Sequence, residues 1–286
     1  MHNLIFFCKT YSGDFKKIGR LISTYRKYNK DNIPLVISCP SNDIKIFKDF
    51  NNTPLITIIT DESYAQNYMS SEPILGFTPG YINQEICKLA FWETNITNNY
   101  LCIDSDTYFI RNFYLIDFMH DLETPYSVLV MDKDLATQDF DQVYWDRRQT
   151  HIKKIFDIIE LKDPRFLTCH GMTVFSRKVL ESFQRNFLAP QKWSYLDIIK
   201  ISPFEFTWYN AWLQKSNAIN VYAVEPFFKV FHYRREYIFS ILKGLREKDL
   251  ARSYLGIVMQ SNWHCGLNYQ NKNPVYSLLK LLIKII

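Results

Sequence analysis

The chain has 286 residues, 47% of them hydrophobic, 22% charged and 16% aromatic, and a net charge of +5. That apolar content is enough for a sizeable core, so a disordered chain is excluded, and with 8 Gly so is a collagen-like repeat. The excess of 34 Lys and Arg over 29 Asp and Glu is mild and forms no dense stripe, which argues against nucleic acid and suits an anionic small molecule or membrane surface.

In chain order, Leu4 to Cys8 is an unbroken apolar run, as in a strand buried on both faces. No basic leader with a cleavage site precedes it, so no signal peptide is expected. A polar loop, residues 10–14, leads into a helix running to about Tyr28, with Phe15, Ile18, Leu21, Ile22 and Tyr25 at helical spacing. Strands are expected at Pro34 to Cys39 and Leu55 to Thr60. After an irregular stretch over 62–80, Ile82, Ile86, Leu89 and Ala90 fall on one helix face. Strands follow at Tyr100 to Ile103 and Tyr126 to Met131. The second half is less regular: a short strand at Thr173 to Ser176, a helix from Lys178, a helix over Glu205 to Leu213, and strands at Val221 to Val224 and Phe227 to His232. Strand alternating with helix predicts an α/β fold with a mostly parallel, helix-covered sheet. Ligands of such sheets bind beyond the carboxyl ends of the strands.

The six cysteines, at 8, 39, 87, 102, 169 and 265, form no CxxC pair and no zinc-like spacing with histidine. They read as buried thiols of a reducing compartment, so a cytoplasmic location is expected. No run is long and apolar enough to span a bilayer.

The centre of the functional reading is Asp104-Ser105-Asp106, at the end of the fourth strand. Two carboxylates so spaced are hard oxygen ligands for Mg²⁺ or Mn²⁺, with phosphate oxygens and water filling the remaining positions. Asp132/Asp134 and Asp139/Asp141 share the spacing; Asp132 also follows a strand and is a rival or a neighbour of the site, and an ordinary solvated turn is the plain alternative for all three.

Around this triplet, Gly80-Tyr-Ile-Asn-Gln-Glu-Ile-Cys-Lys-Leu89 and Tyr100-Leu-Cys-Ile-Asp-Ser-Asp-Thr-Tyr-Phe-Ile110 resemble the DxD region of GT-A glycosyltransferases. More narrowly they resemble an incompletely characterised bacterial and viral family of that fold. Gly171-Met-Thr-Val-Phe-Ser176 and Glu205-Phe-Thr-Trp-Tyr209 continue the likeness, which covers roughly residues 3–235. The resemblance implies a Rossmann-like GT-A domain over 1–240, with a nucleotide-binding half to about 131 and an acceptor half from about 132. Residues 241–286 would be a helical extension. It implies transfer from a nucleotide-diphosphate sugar to a glycan or lipid-linked acceptor, with Mn²⁺ or Mg²⁺, in bacterial capsule or lipopolysaccharide synthesis.

Residue by residue, the resemblance places Asp104 and Ser105 on the donor's ribose or sugar side and makes Asp106 a direct metal ligand. Thr10, Tyr11, Asp14 and Asp61 would surround base and ribose, and His170 and Gly171 would line the sugar pocket. Gln84 and Lys88, one turn apart opposite the apolar face, would meet donor phosphate or simply face solvent. Glu205 stands where inverting enzymes of the fold keep a base. Its alternative is helix capping, since Ser202-Pro-Phe-Glu205 fits a capping box. His232 and His264 compete as third metal ligand. Arg234 and Arg235 would clamp diphosphate or form a surface pair. Trp193, Tyr195, Trp208, Tyr209 and Trp212 offer faces for sugar stacking, with core packing as the alternative.

Residues 274–286 read as a helix with a broad apolar face and a Lys280/Lys284 stripe, suited to peripheral contact with the inner membrane or to docking on protein. Two further readings stay open. One is a phosphotransferase with Asp104 as nucleophile, although Thr107 falls one position early for that motif. The other is a non-catalytic sugar-binding or assembly subunit.

Overall fold

The computed structural model describes residues 2–52, 54–131, 139–162, 164, 172–232 and 234–260; the side chains of 51–52, 139–144, 147 and 234–235 are outside the description. Asp132, Asp134, His170, Gly171, His264, Cys169, Cys265 and the segment 274–286 therefore lie outside the described residues, as do the side chains of Asp139, Asp141, Arg234 and Arg235.

Strands β1 (Ile5–Lys9), β2 (Leu35–Cys39), β3 (Ile56–Thr60) and β4 (Asn99–Asp104) build most of the central sheet. The helix α1 (Phe15–Tyr28) joins β1 to β2, and α2 (Pro79–Ala90) lies between β3 and β4. Next come β5 (Thr107–Phe109), β6 (Tyr126–Val128), α3 (Asp139–Ile159), β7 (Val174–Ser176), α4 (Arg177–Phe183), α5 (Tyr195–Ile201) and α6 (Glu205–Ser216). The described chain ends with β8 (Tyr222–Val224), β9 (Phe228–Phe231), α7 (Arg234–Leu242) and β10 (Gly256–Met259).

The sheet order is β3-β2-β1-β4-β7, parallel except for β7, which runs antiparallel to β4. Period-two alternation sorts the strand residues between two cores. Ile5, Phe7, Tyr100 and Cys102 face one cluster with Ile82, Ile86 and Leu89 of α2 and Trp208 and Tyr209 of α6. Phe6, Cys8, Leu101 and Ile103 face the other, with Ile18, Leu21, Ile22 and Tyr25 of α1. The expected helices on both faces are thus present. Full burial of an aliphatic side chain contributes about 1.5–3 kcal/mol, so the α1 face alone anchors that helix.

Local chemistry fixes the ends of these elements. The Tyr25 hydroxyl donates to the Ile33 carbonyl at 2.6 Å, and Asn29 brackets Ile33 through both its carbonyl and its amide, which turns the chain into β2. Thr78 caps α2 by accepting from the Tyr81 amide, with Pro79 in the first turn, where a missing N–H costs nothing.

The strand expected over Tyr126 to Met131 is shorter and pairs with β8 in a separate two-stranded sheet. The place beside β4 goes to β7 instead, in the register Leu101↔Val174. A third sheet, β5-β10-β9, takes in β10 from the segment read as a helical extension. Gly256 lets β10 sit there: a Cβ would lie 2.5 Å from the Tyr108 carbonyl oxygen and 2.7 Å from the Phe228 ring. Cys8, Cys39, Cys87 and Cys102 are free and buried. No described helix is long and apolar enough to cross a membrane.

Candidate active site

β1 is flanked by β2 on one side and β4 on the other, so the order reverses between β1 and β4. In that register Lys9 and Asp104 are partners at the carboxyl ends of their strands. A topological switch point opens a crevice at this place, and here it is a cavity of about 970 Å³.

The floor is built by the first three strands. Lys9 pairs with Asp61 at 2.9 Å, both nearly inaccessible, and the Ser38 hydroxyl of β2 donates to Asp61 at 2.6 Å. Burial pushes the Asp61 carboxyl up, and the Lys9 cation opposes this. Asp61 therefore lines the cavity, as expected, with its carboxylate already engaged by Lys9 and Ser38. Thr10 is buried, and its hydroxyl has no hydrogen-bond partner among the described residues.

The loop after β1 carries Tyr11 to the mouth, where it is half exposed. Its ring lies across Gly13 so closely that a Cβ there would come within 2.4 Å of it. Asp14 pairs with Lys17 at 2.6 Å and accepts from the Ser105 hydroxyl, which ties this loop to the Asp104-Ser105-Asp106 turn. That turn is the tight link between β4 and β5, and the Asp106 carbonyl takes the Met259 amide of β10 at 3.2 Å.

Beneath the turn lies Lys88. Of the two surroundings expected for it, donor phosphate and open solvent, solvent does not hold. Instead it is buried, with its ammonium 3.0 Å from Asp104 and 2.7 Å from Glu205. The reason is rotational: α2 is covered on that side by α6 as well as by the sheet, so its polar face meets protein. Burial opposes the Lys88 charge, but the Asp104 and Glu85 carboxylates outweigh it and raise its pKa. The ammonium also lies 4.8 Å from the Phe206 ring centre. Gln84, one turn earlier, is half-buried and lines the cavity.

Glu205 is the first residue of α6, and Phe204 is its N-cap, with no side-chain capping bond. The capping-box expectation is corrected. Phe204, with φ -140 and ψ 88, caps the helix one residue before Glu205, so the Glu205 carboxylate turns to Lys88, while the Ser202 carbonyl accepts from the Trp208 indole.

The sequence reading missed Glu85, Arg148 and Gln260 as lining residues. Glu85 is 3% exposed; burial pushes its carboxyl up to about 7, against the nearby Lys88 cation. A legible signal existed, since Glu85 sits three residues before Lys88 and shares its helix face. Arg148 lies over the Phe204 ring at 3.5 Å. Nothing in its local sequence distinguishes it.

His232 accompanies Gln260, with Nδ1 3.2 Å from the amide oxygen, but it does not itself line the cavity. Burial pushes its pKa down to about 4, which keeps the imidazole neutral at pH 7. Among the described residues no group of three His, Cys, Asp or Glu side chains is placed to hold a metal. Two carboxylates do face the cavity together, Asp104 and Asp106. Mg²⁺ and Mn²⁺ accept such a pair when substrate phosphates complete the shell, so the donor set fits. The charge balance fits as well. The described lining carries seven carboxyl groups against four cations, and a metal between would offset that excess for an anionic ligand.

Tyr195, Trp208, Tyr209 and Trp212 are core residues and Trp193 is half-buried against them, so those rings pack instead of stacking on sugar. The aromatics of the cavity are Tyr11, Phe77, Tyr81, Phe204 and Phe206.

A mixed sheet of this order, with a carboxylate turn at the switch point, defines an α/β protein of GT-A type. Mouse xyloside xylosyltransferase 1, apo form, shares the fold with a TM-score of 0.50 and 9% identity, over 91% of this chain and 98% of that one. Galactosyltransferase LgtC in complex with donor and acceptor sugar analogs matches with a TM-score of 0.49 and 12% identity, over 90% and 84%. By sequence the chain belongs to DUF6492, a family of unknown function, which matches residues 4–227. No curated protein matches it.

Proposed function

We propose that the chain is a metal-dependent glycosyltransferase using a nucleotide-diphosphate sugar. The observation that carries this reading is Asp104, tied to the buried Lys88–Glu205 pair and lining the cavity together with Asp106, at the switch point of a GT-A sheet. Residues 1–131 would supply the donor side of the cavity through the ends of β1 to β4. Residues 132–240 would supply the acceptor side through Arg148, Phe204, Glu205 and Phe206.

Asp104 and Asp106 would hold the cation, Mn²⁺ or Mg²⁺. When bound, that ion supplies Lewis-acid neutralisation of the departing diphosphate. The chain's own residues do the rest. Tyr11 offers a face for the nucleotide base at the mouth. Thr10, with its buried unsatisfied hydroxyl, bonds the nucleotide. Lys88 fixes the relative positions of Asp104 and Glu205 through two short ion pairs. Glu205 takes the acceptor proton through the oxygen that Lys88 does not hold, as acceptor oxygen attacks the sugar carbon. The carbon–phosphate-oxygen bond breaks in the same step, and its electron pair leaves with the nucleoside diphosphate. This gives inversion. A glycan or lipid-linked acceptor at the cytoplasmic face of a bacterial membrane is the setting we favour, with capsule or lipopolysaccharide as product.

Calorimetric titration with uridine and thymidine diphosphates, with and without Mn²⁺, tests the reading. Binding is expected only with the cation and is lost in Asp106→Asn. A folded protein that binds neither nucleotide with Mn²⁺ or Mg²⁺ overturns it.

A further inference from the structure

Helix α7 is apolar on two sides. On its inner side Tyr237 packs edge-on against Phe231 of β9, with ring centres 5.3 Å apart. On its outer side Ile238, Ile241, Leu242 and Leu245 are exposed by 37%, 42%, 55% and 48%. Ile238, Ile241 and Leu242 stand at i, i+3 and i+4 on one stripe of the helix, and Leu245 follows just past its end. Single exposed aliphatics are ordinary, but an adjacent set at helical spacing forms a continuous patch.

The patch is held rigidly at its tip. The Gly244 amide donates to the Ile241 carbonyl and the Leu245 amide to the Ser240 carbonyl, both at 2.9 Å. With Gly244 at φ +85, this is a Schellman closure, which fixes Leu245 just beyond the last turn. Residues 241–248 are then exposed without interruption.

Charge surrounds the aliphatic tip. Lys243, Arg246 and Lys248 are exposed, and the Arg252 side chain is 82% exposed. The two acids among them are engaged by neighbours, although the Glu247 side chain is 47% exposed. Glu247 accepts from the Tyr108 hydroxyl at 2.9 Å and meets Arg20 at 3.6 Å. Asp249 accepts the Arg246 amide at 3.0 Å. Asp249 also has Arg252 at 3.9 Å, and with four cations against these two acids the tip is net positive. Protruding aliphatics ringed by cations match a surface with an apolar interior and anionic headgroups.

We propose that the tip formed by the end of α7 and residues 243–252 docks on an anionic lipid surface. Leu242 and Leu245 enter the acyl boundary, while Lys243, Arg246, Lys248 and Arg252 meet the headgroups. None of these residues lines the cavity.

Co-sedimentation of the full chain with vesicles tests it, using phosphatidylcholine mixed with phosphatidylglycerol against phosphatidylcholine alone. Partition into the anionic vesicles is expected, with little into the neutral ones. Each basic side chain replaced, as in Lys243→Gln, weakens partition about fivefold. Leu242→Glu with Leu245→Glu removes it at least tenfold and leaves the melting temperature unchanged, because both positions face solvent. The proposal is overturned if the full chain ignores anionic vesicles. It is overturned equally if the double variant binds like the wild type, which would put membrane contact on another segment. Concentration-dependent dimerisation that disappears in the double variant would show that a second copy covers the stripe, and would also overturn it.

Discussion

Replacing Lys88 by Met keeps the length of the side chain and removes its charge from between Asp104 and Glu205. At an effective dielectric of about 20, an ion pair at 2.7 Å attracts by about 6 kcal/mol before desolvation is charged against it. The two carboxylates then fare differently. The Asp104 side chain is 28% exposed and regains water, whereas that of Glu205 is 5% exposed and does not. Leaving one buried partner unpaired costs about 3–5 kcal/mol. With a urea slope of about 3 kcal/mol per molar, the unfolding midpoint should fall by about 1–1.7 M near pH 7, read by tryptophan fluorescence. Adding Glu205→Leu removes the orphaned charge, so the double variant should recover most of that loss and show a coupling of about 2 kcal/mol or more. A Lys88→Met protein as stable as the wild type would refute the reasoning, as would a double variant that loses the sum of both single changes.

Glu85→Gln should flatten stability between pH 4.5 and 7. Burial lifts the Glu85 carboxyl from 4.5 to about 7, so the folded state holds the proton more tightly than the unfolded chain. The stability it carries is complete below pH 4.5 and is lost as pH rises to 7, about 3 kcal/mol in all; denaturant melts across that range check the slope. Tyr11→Ala should weaken nucleoside diphosphate binding about tenfold by removing a stacking face worth about 1–3 kcal/mol, with no change in melting temperature. Gly256→Ala should lower stability by about 1–3 kcal/mol, since its methyl group meets the Tyr108 carbonyl oxygen and the Phe228 ring, and thermal unfolding measures this.

Much of the parallel half was legible because its signals are local. The Ile18, Leu21, Ile22, Tyr25 spacing marks α1, and the apolar runs of β1, β2 and β4 mark strands buried on both faces. Once those alternate, the carboxyl ends of the strands are the place for a ligand, and Asp104, Asp106, Asp14, Asp61 and Thr10 all line the cavity there. The later strands gave weaker signals. β5 and β10 are three and four residues long and find partners far along the chain, so no periodicity announces them.

Residue types and their order, which the sequence alone determined, set the α/β alternation and the acidic turn after β4. Which way a helix rotates, and what covers its polar face, is a matter of long-range packing. That decided Lys88, placed by α6 against Glu205, 117 positions away. It decided Glu205 too, freed from capping because Phe204 begins the helix, and Asp61, claimed by Lys9 across the sheet. A charge on a helix reads as solvated until another element closes over it, and buried ion pairs form only between groups that the tertiary fold brings together.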